Sequence, residues 1–124
     1  MLMRLSHIIV YCSDMQRSTA FYRDELGFPA KLESPDWTEF HTGATTLALH
    51  IAKPGQRYQA AHKEERAGEA NLALEVLDIE KFYEEKKAKG VKFTLPPTLR
   101  ELGRKLAIFE DPDGLPISVT EEVR

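Results

Sequence analysis

His7 and Tyr11 stand four residues apart in a β-rich run, so strand alternation puts both side chains on one face. An imidazole there has two roles open to it. It can offer a ring nitrogen to a metal or substrate, or it can line a cavity as a neutral, hydrogen-bonded ring. The Tyr11 hydroxyl can likewise meet a ligand or be satisfied by packing. His50, in the strand-like stretch Thr46 to Ile51, carries the same alternatives as His7. His41, beside Thr42-Gly43, and His62 have no metal-ligating partner at helical spacing and read as surface residues. Trp37 and Phe40 fall on opposite faces of one strand, so one is expected to line a cavity while the other packs under a helix. Arg100 and Arg104 read either as partners for an anionic ligand or as solvated loop residues. Cys12, the single cysteine, has apolar neighbours and reads as a small buried hydrophobe that forms no internal disulfide. The sequence contains neither a Gly-x-Ser-x-Gly nucleophile turn nor a glycine-rich phosphate loop. The carboxylates of Glu64-Glu65 and Glu84-Glu85 lie in charged stretches and read as surface.

The elements that must position these groups are written twice. Ser6-His-Ile-Ile-Val-Tyr-Cys-Ser-Asp14 aligns with Ala70-Asn-Leu-Ala-Leu-Glu-Val-Leu-Asp78, each a β-rich run ending at a helix-capping residue. After the first, Met15, Thr19, Tyr22 and Leu26 follow helical spacing, with Ser13 or Asp14 as N-cap and Gly27 just past the end. After the second, Asp78 caps a helix whose apolar face is Ile79, Phe82 and Tyr83, and Gly90 closes it. Lys86, Lys87 and Lys89 lie near its C-terminus, where the helix dipole favours cations. Strands are predicted from Gly27-Phe28 onward, over Trp37 to His41 and Thr45 to Ala52, then over Val91 to Leu95, Lys105 to Phe109 and Ile117 to Thr120. Asp111-Pro-Asp-Gly114 reads as the tight turn of a hairpin, with Pro116 expected to precede the last strand or to lie at an unpaired edge. The expected fold class is α+β: two βαβββ modules, about 1–52 and 70–124, whose curved sheets enclose a shared cavity. The polar stretch of about 53–69 reads as a linker, either mobile or serving as a binding lid.

A chain of 124 residues fits one domain, and 42% hydrophobic with 30% charged residues is the composition of a soluble globular protein. A net charge of -3 gives no general attraction to nucleic acid. No apolar stretch approaches the ~20 residues of a membrane span, and no signal peptide precedes the first strand, so a cytoplasmic location is expected. Exposed strand edges in so short a chain lead us to expect a homodimer.

His7-Ile-Ile-Val-Tyr-Cys-Ser-Asp14, Ala20-Phe-Tyr-Arg-Asp-Glu-Leu-Gly-Phe28 and Gly103-Arg-Lys-Leu-Ala-Ile-Phe-Glu-Asp-Pro-Asp-Gly114 resemble the opening and closing signatures of the vicinal oxygen chelate superfamily. That superfamily comprises glyoxalases, bleomycin-resistance proteins and extradiol dioxygenases. The resemblance runs over nearly the whole chain and implies the two-module fold, while leaving catalysis and simple binding both open. Carried over by position, the metal ligands of catalytic members fall on His7, Ala48, Asn71 and Ser118. His7 is a good ligand, Asn71 a weak one, and Ala48 cannot coordinate a cation; Ser118 stands where an acid is usual. His50, on the face of Ala48, is the best substitute. The leading expectation is a protein that binds a small organic molecule in its cavity, with Tyr11, Trp37, Ser118 and Arg104 among the contacts. The rival is an enzyme dependent on Zn, Ni, Fe or Mn and acting on a substrate with adjacent oxygens. There His7, His50 and Asn71 would hold the ion and Glu75 would be the nearest base. A non-catalytic regulatory or assembly protein is the third class.

Overall fold

The structure, a computed structural model, describes residues 3–55, 67–100 and 103–122. The chain divides into two compact units, Met1–Arg57 and Tyr58–Arg124. Most of the stretch read as linker or lid, His62 and Glu64-Glu65 lie outside the described residues.

In the first unit β1 (His7–Cys12) leads into α1 (Met15–Ala20), followed by β2 (Ala30–Glu33), β3 (Trp37–Phe40) and β4 (Thr46–Ile51). The sheet runs β1-β4-β3-β2, with β1 parallel to β4 and the other pairs antiparallel. Asp14 caps α1, its carboxylate accepting from the Arg17 amide at 3.1 Å. The even periodicity read over Met15 to Leu26 is not kept, because a π-helical turn, Phe21–Glu25, follows α1. The Leu26 amide donates to the Phe21 carbonyl at 2.9 Å, five residues back. The widened turn accommodates two consecutive buried rings, Phe21 and Tyr22, which meet edge to face at 5.0 Å. Beneath α1 lie Val10, Cys12, Leu47, Leu49, Thr38 and Phe40, all buried. Cys12 is thus the buried hydrophobe expected, and of the two rings on β3 Phe40 is the one that packs inward.

The second unit repeats the plan with β5 (Leu72–Val76), α2 (Ile79–Ala88), β6 (Lys92–Leu99), β7 (Lys105–Glu110) and β8 (Pro116–Glu121), in sheet order β5-β8-β7-β6. Two βαβββ modules, the expected α+β class, are therefore present. Asp78 caps α2, accepting from the Lys81 amide at 3.0 Å, and Gly90 ends it with φ of 92°. Glu121 reaches across from β8 to accept from the Ile79 amide at 3.1 Å, so its carboxylate serves the helix start. Phe82 and Tyr83 pack on Phe93 and Phe109, with ring centroids 4.8 to 6.3 Å apart.

The turn at Asp111 to Gly114 joins β7 to β8 as expected. The buried Asp111 carboxylate accepts from the Asp113 and Leu115 amides, each at 2.9 Å, and Gly114 takes φ of 86°. Of the strand limits that differ from the sequence reading, two involve prolines. Pro116 is the first residue of β8, opposite Glu110, a position where a strand tolerates the missing donor. β6 runs past Leu95 through Pro96-Pro97 to Leu99 because it is a terminal strand of its sheet, and its pairing shifts register between Leu95 and Thr98. Among the described residues, no helix is long and apolar enough to cross a membrane.

Candidate functional site

The face of the first sheet opposite α1 carries four of the residues singled out by type, His7, Tyr11, Trp37 and His50. The register sets His7 beside Thr46, Ile9 beside Ala48 and Tyr11 beside His50, while Trp37 faces His50 and Glu39 faces Ala48 from β3. Alternation then puts His7, Tyr11, Trp37, Glu39, Ala48 and His50 on one side. Four rings form a row: Tyr11 to His50 at 5.3 Å, His50 to Trp37 at 5.9 Å edge to face, and Trp37 to His7 at 6.3 Å. Tyr11 is 65% exposed, a large apolar area for a strand residue in mid-element. Trp37, and not Phe40, is the open-face member of its strand.

Glu39 gives this face its charge. Its Oε2 accepts from the Trp37 indole Nε1–H at 2.8 Å and lies 3.6 Å from His7 Nε2, and its Oε1 lies 3.9 Å from Lys31 Nζ. Lys31 also donates to the Thr46 hydroxyl at 2.6 Å. Sequence reasoning did not single out Glu39. The available signal was parity, since Glu39 is two residues from Trp37 on a strand and must share its face. His7 Nδ1 is 2.9 Å from the Ser6 hydroxyl. His50 Nδ1 donates to the Ile51 carbonyl at 2.7 Å.

The pairing of His7 with His50 around one ion does not follow from this arrangement. Thr46, not His50, stands opposite His7, so His50 lies four residues further along, roughly 13 Å at ~3.3 Å per residue. The half-buried indole of Trp37 makes ring contacts with both histidines. Ala48, fully buried between its strand neighbours, leaves no ligand in the middle of the face. Asn71 belongs to the second unit, exposed just ahead of β5. Among the described residues, no three His, Cys, Asp or Glu side chains are placed to hold one metal ion.

In the second unit the face opposite α2 brings together two residues expected in different roles. Glu75, the candidate base, lies with Oε2 3.7 Å from Arg104 Nη2, the expected substrate contact. Thr120 sits opposite both Glu75 and Leu106, and the half-buried Ser118 sits opposite Ala73 and Ile108. Arg104 Nε is buried and has no hydrogen-bond partner among the described residues. His41 is exposed, as are Glu84 and Glu85.

The family profile of the Glyoxalase/Bleomycin resistance protein/Dioxygenase superfamily matches residues 4–119. The chain belongs to this superfamily. Uncharacterized protein YraH of Bacillus subtilis (strain 168) is 31% identical over 118 residues, covering 90% of this chain and 92% of its own. A crystal structure of a protein of unknown function from Agrobacterium tumefaciens superposes with a TM-score of 0.77 at 26% identity, covering 99% of this chain and 97% of that one. The lactoylglutathione lyase of the same organism gives a TM-score of 0.74 at 19% identity over 95% of this chain and 92% of its own, a likeness of fold alone. Superfamily membership therefore explains the doubled βαβββ plan.

Proposed function

We propose that this superfamily member binds a small organic molecule carrying a planar ring, held against the aromatic face of its first unit. The observation that carries this reading is the row Tyr11, His50, Trp37 and His7, whose rings lie in contact across three strands with Tyr11 open to solvent. A planar ligand laid on such a row gains apolar burial and ring stacking of about 0.5–1.5 kcal/mol per pair. Glu39, Lys31 and His7 supply polar groups that fix its orientation. Trp37 is the only tryptophan, so its emission reports on the face directly. Caffeine and quinoxaline are expected to quench it saturably, and Tyr11→Ala and His50→Ala to weaken that binding at least about fivefold each. Quenching that stays linear with probe concentration, or that cyclohexanol competes away as readily as the planar probes do, would remove this reading.

One observation favours the metal-dependent lyase, isomerase or dioxygenase. Glu39 stands directly opposite Ala48 on the neighbouring strand and brings a carboxylate to 3.6 Å from His7 Nε2, next to the carried-over ligand position that Ala48 cannot fill. His7 and Glu39 are still two groups, where a catalytic zinc site uses three protein ligands. The residues of this face therefore do not fit such a centre.

We also propose that the chain pairs with a second copy. Its support is that β1, β2, β5 and β6 each end their own sheet, leaving backbone groups on one side for a further strand. Light scattering is expected to give twice the 14.1 kDa chain mass at micromolar concentration. A single-chain mass that persists on concentration is the contrary result.

A further inference from the structure

An open cleft of about 560 Å³ in the second unit is lined by Leu99, Arg100, Arg104, Lys105, Leu106 and Thr120. Three of its six lining residues are cationic, and their commitments differ. Lys105 is engaged, with Nζ 3.1 Å from Glu80 Oε1 on α2. Arg104 is only loosely held, since its Nη2 is 3.7 Å from Glu75, beyond hydrogen-bond distance. Its Nε–H is buried with no acceptor among the described residues. The exposed Arg100 side chain makes no ion pair among them, although its backbone amide donates to the Arg104 carbonyl at 2.6 Å and fixes the two residues beside each other. A buried donor without an acceptor is costly, and one attached to a cation is the more costly kind. Beside these donors lie Leu99, which is 66% exposed, the half-buried Leu106, and the hydroxyl of Thr120.

We propose that this cleft is a binding site for an oxyanion carried on an apolar body, a small organic carboxylate or a phosphate or phosphonate ester. The anion would accept from Arg104 Nε and Nη and from Arg100 in the forked geometry that guanidinium groups offer, replacing the loose Glu75 contact. Its hydrocarbon part covers Leu99 and Leu106, which otherwise face water. The site lies wholly within the second unit and does not depend on the aromatic face of the first.

Hexanoate tests it, because it has the anion and the apolar tail but no ring for the aromatic row. In a titration followed by amide NMR, hexanoate is expected to shift the Arg104, Leu106 and Thr120 resonances saturably. Arg104→Gln and Arg100→Gln should each weaken it at least about tenfold while the rest of the spectrum keeps its dispersion. Hexanamide, which lacks the charge, and inorganic phosphate, which lacks the tail, should each bind at least about tenfold more weakly. Hexanoate binding that neither arginine substitution changes, or that hexanamide or phosphate equals, would overturn the proposal. So would the absence of saturable shifts at these residues. If Arg104→Gln does not fold, the Arg100→Gln variant, altered at an exposed side chain, decides the outcome alone.

Discussion

Zinc added to the purified protein is expected to bind with a Kd no tighter than roughly 10 μM, whereas a structural zinc site worth about 10 kcal/mol has a Kd near 50 nM. The reason is the spacing of ligands. A divalent ion must shed water, and each charged or nitrogen ligand held at bonding distance offsets part of that cost. The first unit presents His7 with Glu39 at 3.6 Å, and then Ala48 where a third ligand would stand. His50 is roughly 13 Å along the strands from the level of His7. Isothermal calorimetry of the apo protein with Zn2+, Ni2+, Fe2+ and Mn2+ measures this directly. A single submicromolar site, abolished by His7→Ala and by Glu39→Gln, would establish the metal-dependent reading in place of the binding one. His50→Ala should leave any such affinity unchanged while still weakening planar probes, which separates the two readings within one set of variants.

Phe109→Ala is expected to cost the fold about 3–5 kcal/mol and to lower the melting temperature by about 10 °C or more. Phe109 is fully buried and its ring contacts both Phe82 on α2, at 5.9 Å, and Phe93 on β6, at 5.5 Å. Removing it leaves a cavity between helix and sheet that rigid strand neighbours cannot collapse to fill. Against a typical domain stability of about 5–15 kcal/mol, the loss threatens the whole second unit. Leu32→Ala, at a strand position 52% exposed, is expected to stay within about 0.5 kcal/mol of the parent. Thermal unfolding followed by circular dichroism compares the two. Equal melting temperatures for both variants would contradict the packing described for this helix and sheet.

Much of the architecture was legible in the chain because it is set by local chemistry written twice. Asp14 and Asp78 each cap a helix through the amide three residues on, and Asp111 to Gly114 forms its turn from its own carboxylate and a positive φ. The alternation of Trp37 and Phe40 told that one ring of the two would be buried, and packing decided that it is Phe40. Where longer-range packing intervened, the local reading slipped. The burial of both Phe21 and Tyr22 accompanies a π turn that helical spacing does not announce, and β6 continues through two prolines because its outer edge has no ladder to satisfy.

By itself the sequence determined the doubled βαβββ plan, which depends on residue type and on periodicity along one strand or helix, and its opening and closing motifs pointed to the superfamily. The resemblance to that superfamily, in turn, implied a shortage of metal ligands at Ala48, Asn71 and Ser118. Which residues keep company was decided only by tertiary structure. The pairing of both β3 and β1 with β4 sets Glu39 beside His7, more than thirty positions away, and the parallel register of β1 with β4 carries His50 away from His7 to Tyr11. Strand register fixes such neighbours through hydrogen-bonded ladders and buried side chains on the opposite face, and a slip of one residue would send each of them to the other side of the sheet. The same holds in the second unit, where Arg104 meets Glu75 only because β7 and β5 both pair with β8.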